Sequence, residues 1–72
     1  METLYDVQQL FKQFGMYIYV GARIYDIELM MIELKKLYEG QLVDRDTYLQ
    51  ARHILLREHR IEESRGKQKG ID

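Results

Sequence analysis

The sequence has no cysteine, no proline and no tryptophan. Without cysteine there is neither a disulfide framework nor a thiolate zinc site. Without proline nothing breaks a helix by locking φ and removing a donor, so long helices are allowed. The longest apolar stretches, Met16–Val20 and Leu29–Ile32, fall far short of the ~18–20 residues that cross a membrane. The chain opens Met-Glu-Thr-Leu-Tyr-Asp, with acid where a secretory signal has base and no apolar core after it, so a cytoplasmic protein is expected. There is also no excess of one charge: 11 Lys and Arg stand against 12 Asp and Glu, for a net −1. A generic polycation is excluded, and any electrostatic partner would have to be held by local segregation of charge.

What remains is one small domain of 72 residues with 46% apolar and 32% charged residues, a globular composition. The periodicity predicts three helices. The first runs from Leu4 to Phe14, with Thr3 as N-cap, Asp6 as its capping-box partner and Gly15 as its left-handed stop. Leu4, Val7, Leu10, Phe11 and Phe14 fall in one arc, which is the face to bury. The second runs from about Ala22 to Glu39 and stops at Gly40. Its stripe of Ile24, Ile27, Met31, Leu34 and Tyr38 is widened by Met30 and Leu37, which suggests the central helix of the three, touching both others. The third starts after Asp44 and runs from Arg45 to about Glu63, burying Tyr48, Ala51, Ile54, Leu55 and Ile61. The short link Gly40–Asp44 makes helices two and three antiparallel, with Leu42 and Val43 as plugs at the turn.

Met16-Tyr17-Ile18-Tyr19-Val20 has strand propensity but no second strand to pair with, so it is expected as an extended connection. Alternation then sends Met16, Ile18 and Val20 to the core and leaves Tyr17 and Tyr19 partly wet. The expected fold is an all-α three-helix bundle over residues 1–63, with an extended loop between helices one and two and a mobile basic tail over 64–72.

Little in this pattern suggests catalysis. No cysteine nucleophile, glycine-rich phosphate loop or marked carboxylate pair is present. A chain this short also struggles to enclose a substrate pocket of ~300 Å³ or more. His53 and His59 are six apart and so on different faces of helix three. His59, Glu62 and Glu63 have ligating spacing, but such clusters are most often plain solvated surface. We expect no enzyme, no cofactor, no metal site and no small-molecule substrate.

Two surface features carry the functional reading. His53, Arg57 and Arg60 share one side of helix three, with Arg52 beside the apolar stripe. From Arg52 onward six Lys and Arg meet four Asp and Glu. That local excess is either a solvated helix face, which weighs more by itself, or a phosphate-holding field. Six tyrosines are many for this length. Tyr38 and Tyr48 lie on core stripes. Tyr17, Tyr19 and Tyr25 lie in and after the loop, near Arg23 and not far in sequence from Lys12, where bare rings beside cations would stack unpaired bases at ~1–3 kcal/mol each. The first hypothesis is therefore a single-stranded nucleic-acid-binding module, with Tyr17 and Tyr19 stacking bases and Arg23, Arg52, Arg57 and Arg60 holding phosphates. The rival is a protein-interaction or homodimer module. Leu29 and Ile32 on helix two and Leu49 and Leu56 on helix three exceed one stripe per helix; they either pack on two neighbours inside the monomer, which weighs more, or form its interface.

Tyr5-Asp6-Val7-Gln8-Gln9-Leu10, Phe14-Gly15, Gly21-x-Arg23, Asp26-Ile27-Glu28-Leu29-Met30, Glu33-Leu34 and Leu37-Tyr38 together resemble the YqgQ-like family, short proteins of Gram-positive bacteria. The resemblance runs from Thr3 to about Arg60. It implies a three-helix fold, no enzyme activity, no cofactor and a role in binding single-stranded nucleic acid. Family members tend to carry an acid where this chain has Ala22, so helix two starts here with a weaker N-cap. The stretch from Leu34 to Leu56 is also similar to the helical-hairpin motif called SHOCT.

Overall fold

The computed structural model describes residues 1–70, and the side chains of residues 1–66. It contains three helices, α1 (Leu4–Lys12), α2 (Arg23–Glu39) and α3 (Arg45–Gly70), and no strand among the described residues. The all-α three-helix architecture is the one the periodicity predicts.

Each helix end has a local cause. At the start of α1 the Asp6 amide donates to the Thr3 hydroxyl (3.3 Å). The Asp6 carboxylate in turn accepts from the amides of Thr3 (3.0 Å) and Glu2 (2.8 Å). The helix stops at Lys12 rather than Phe14 because the chain turns back on itself there. The Met16 amide donates to the Phe11 carbonyl and the Gly15 amide to that of Lys12, both at 3.0 Å, with Gly15 left-handed at φ 71°.

At the far end of α2 the same pairing recurs one residue later than expected. The Leu42 amide reaches the Leu37 carbonyl at 2.9 Å and the Gln41 amide reaches that of Tyr38 at 3.0 Å. Gly40 keeps φ −81°, and Gln41 takes the left-handed position at φ 62°. At the start of α3 the Asp44 carboxylate accepts from the Thr47 amide at 2.7 Å.

The start of α2 is the weakest of these ends. Ala22 has the extended backbone of an N-cap (φ −127°, ψ 126°) and no side-chain oxygen to offer. Ala22→Ser should place an acceptor there and stabilise the fold by about 0.5–2 kcal/mol. A raised urea midpoint with unchanged slope is the expected result, and an unchanged midpoint would contradict it.

The Asp6 and Asp44 carboxylates are held below the usual aspartate range. For Asp6 the cause is first the Glu2 amide, then the Thr3 amide. For Asp44 it is the Thr47 hydroxyl and amide. Groups with a depressed folded pKa contribute stability above the unfolded pKa and lose it as pH falls through the folded one. Urea midpoints should therefore hold steady down to the ordinary aspartate range and fall below it. Asp6→Asn should flatten part of that fall.

The core consists of Leu4, Val7 and Phe11 from α1, Ile27, Met30, Leu34 and Leu37 from α2, and Ala51, Ile54 and Leu55 from α3. Met16 and Ile18 of the loop pack against it, as do Met31, Val43 and Tyr48. The Tyr38 and Tyr48 rings stack at 4.2 Å, closing the α2–α3 hairpin near its turn.

Four details of the expected packing change. The central helix is α3, not α2: α3 contacts both other helices, whereas no Cα of α1 comes within 8 Å of one in α2. The reason is the extended segment 16–20, whose Met16 and Ile18 join the core. Val20 turns outward and is 56% exposed, because its amide is drawn to Asp26. Leu42 is exposed, leaving Val43 as the single plug. Ile61 is exposed, on a helix that continues past Glu63 to Gly70. The expected mobile basic tail lies for its larger part, from residue 67, outside the residues whose side chains are described.

Candidate binding surface

The extended segment is fastened at both ends. At its start the Met16 amide bonds the Phe11 carbonyl. At its end the Val20 amide donates to the Asp26 carboxyl at 2.6 Å. Among the described residues Asp26 is the one buried polar side chain, and its position in the first turn of α2 lets it reach back to the loop. Between these anchors the chain is extended, and alternation separates its sides. Met16 and Ile18 pack inward, while Tyr17 and Tyr19 are 75% and 83% exposed.

Those two rings line a groove of about 240 Å³ with Gln8, Phe11 and Lys12 of α1, Met16 and Ile18 of the segment, and Met30 of α2. Its floor is apolar. Gln8 and Lys12, four apart on one side of α1, supply its polar edge. No carboxylate among the described residues lies within 4 Å of the Lys12 amine. Gln8 is not among the expected site residues, and Lys12 enters the expectation only as a neighbour of the tyrosines in sequence, with no phosphate-holding role. Their spacing just ahead of the aromatic stretch is the signal that could have found them.

The four arginines expected to hold phosphates are dispersed. Arg23 pairs with Glu58 (3.3 Å) and Glu62 (3.6 Å). Arg57 pairs with Glu58 (3.4 Å) and donates to the Glu2 carbonyl (2.8 Å). Glu62 also holds Arg65 at 2.9 Å. The half-buried Glu58 and Glu62 tie the start of α2 to α3, and Arg57 ties the start of α1 to α3, so these cations fix the frame of the loop and much of their field is offset. Arg52 lies at the α2–α3 seam with Met31, Leu34, Lys35 and Tyr48. Arg60 is exposed on the side of α3 turned away from Ala51, Ile54 and Leu55. Among the described residues, none of α3 lines the tyrosine groove.

The interface residues of the rival hypothesis also divide. Leu29 and Ile32 are exposed on the outer side of α2, where Tyr25 extends them into a strip at i, i+4 and i+7. Leu49 is exposed on α3 and Leu56 is half-buried there. The histidine cluster weighed for metal is only partly gathered. The His59 ring bonds Glu28 at 2.8 Å, across to α2, and its other nitrogen lies 4.0 Å from Glu63, while Glu62 is engaged by arginines. Among the described residues, no group of three or more histidine or acidic side chains is arranged to hold a metal ion.

The molecule is a small three-helix protein with a tyrosine-lined groove between α1 and an extended loop. No helix among the described residues is long and apolar enough to cross a membrane. The chain belongs to the YqgQ-like family, whose profile matches residues 1–61. It is similar to the Bacillus subtilis (strain 168) protein called "Uncharacterized protein YqgQ", with 43% identity over 58 residues, covering 81% of this chain and 82% of that one.

Proposed function

We propose that the protein is a docking module for another polypeptide, with Tyr17 and Tyr19 as its anchors. The observation that carries this reading is the exposure of both phenols, 75% and 83%, on a segment pinned at each end. A tyrosine ring offers a large amphipathic contact and loses few rotamers when it binds, which is why tyrosine is enriched at protein interfaces. Pinning the backbone beforehand lowers the ordering cost of binding further. Charge favours a polypeptide over a polyanion, since the net charge is −1 and Arg23 and Arg57 are already engaged by glutamates. The role is non-enzymatic and cytoplasmic and needs no cofactor.

A photo-crosslinking residue in place of Tyr19, with the same residue in place of Gln50 on α3 as comparator, tests this in living cells. Nuclease-resistant polypeptide adducts at position 19, absent at position 50 and lost on adding Tyr17→Ala, are expected. Adducts that vanish with nuclease would contradict the reading.

One observation favours the nucleic-acid reading as the second choice: Lys12, without a carboxylate neighbour among the described residues, stands beside both bare rings. Bases could stack on Tyr17 and Tyr19 with a phosphate at Lys12. Fluorescence anisotropy with short labelled oligonucleotides at two salt concentrations decides it, because phosphate contacts make affinity fall steeply with salt. Absence of binding at micromolar protein in low salt would end this reading.

A further inference from the structure

The groove is smaller than the ~300–1,000 Å³ typical of small-molecule sites, and it lies open along a stretch of extended backbone. The main chain beside it is unpaired. Among the described residues, no backbone or side-chain partner takes the amides or carbonyls of Tyr17, Ile18 and Tyr19. Buried backbone groups in folded proteins are almost always paired, so these free groups face water. A segment of high strand propensity with free donors and acceptors is a template on which another chain can add. In ordinary proteins such edges are blunted by charge or proline, and Met16–Val20 carries neither.

We infer that this segment takes an extended peptide by strand addition, and that the peptide carries an apolar residue flanked by acid. The inference rests on the docking reading above and specifies its ligand. Main-chain bonds to Tyr17–Tyr19 would supply affinity, and alternate side chains would supply selectivity. One apolar side chain of the added strand enters the groove over Phe11, Met16 and Met30. Its neighbours on the same face lie two residues away, since side chains alternate, and one of them meets the Lys12 amine with a carboxylate. The Tyr17 and Tyr19 rings cover the added strand from outside. Lys12 is what sets the sign of the ligand: among the described residues it is the one charged side chain lining the groove.

A displayed library of random heptapeptides, counter-selected on the Tyr17→Ala/Tyr19→Ala double variant, supplies the probe. Selected peptides should alternate apolar residues with at least one Asp or Glu. Synthesised and titrated into the isotope-labelled protein, they should shift amide resonances of Gln8, Lys12 and Met16–Val20. Methylating the central backbone amides of the peptide should weaken binding about tenfold or more, since each methyl group removes a main-chain donor. Lys12→Glu should reverse the preference from acidic to basic peptides while leaving the fold intact by circular dichroism.

Binding that depends on the tyrosines but ignores backbone methylation would overturn strand addition and leave the docking reading standing. A basic consensus would overturn the assigned ligand class. Failure to select any peptide that distinguishes the wild type from the double variant would overturn the inference. If the crosslinks at position 19 were also nuclease-sensitive, the docking reading would fall with it. A concentration-dependent dimer that buries Met16–Val20 would assign the segment to a second copy and contradict the peptide proposal.

Discussion

Phe11→Ala is expected to destabilise the protein by about 3–5 kcal/mol, the usual cost of deleting a buried phenyl ring. Phe11 is 1% exposed and joins three parts of the molecule. Its ring belongs to the core shared with α2 and α3, its carbonyl anchors Met16, and its side chain floors the groove. A domain of this length commands only about 4–11 kcal/mol in all, so one residue holds a large share of the fold. The melting temperature should fall by more than about 12 °C. Phe11→Leu, which keeps most of the apolar volume, should recover much of the loss. A Phe11→Ala variant that melted within a few degrees of the wild type would mean that α1 is not packed as described.

The second large effect concerns Asp26. Asp26→Ala should cost about 1.5–3 kcal/mol, because it leaves the Val20 amide without its acceptor and removes a strong bond from a nearly buried site. Its effect on the loop should exceed its effect on the helices. The anchor at the Val20 end is lost, while the α2–α3 core of Ile27, Leu34, Ala51 and Leu55 is untouched. Asp26→Asn separates the two parts of this claim, since the amide carbonyl can still accept from Val20. It should restore most of the lost stability and the order of the segment. Equal destabilisation by both substitutions would show that the hydrogen bond to Val20 is not what Asp26 contributes.

The helices were legible in the sequence because their signals are local. The Thr3–Asp6 box, Gly15, and Asp44 with Thr47 each act within a turn of the chain, and the structure contains all of them. The wetness of Tyr17 and Tyr19 was legible too, since strict alternation in an extended segment leaves them no other side. What failed was information held between elements. A broad apolar arc on α2 suits a central helix, but it equally suits a helix that meets α3 on one flank and a loop on the other, and periodicity alone does not distinguish the two. Val20 breaks the alternation because a carboxylate six residues later captures its amide. Arg23 meets Glu58 across a gap of 35 residues in sequence, and nothing in the local pattern of either helix announces that pair. The expected phosphate site is therefore divided, while Lys12, whose closeness to the loop tyrosines shows in the sequence but carries no phosphate role there, takes the place beside the rings.

Amide hydrogen exchange on the free protein, read residue by residue, tests most directly whether Met16–Val20 is a pinned but open strand. Tyr17, Ile18 and Tyr19 should exchange nearly as fast as an unstructured peptide, Met16 and Val20 on either side should be slowed, and Leu34 and Leu55 should be slowest. Protection of Tyr17–Tyr19 comparable to that of Leu34 and Leu55 would mean their backbone is already partnered, and the docking surface described here would not exist.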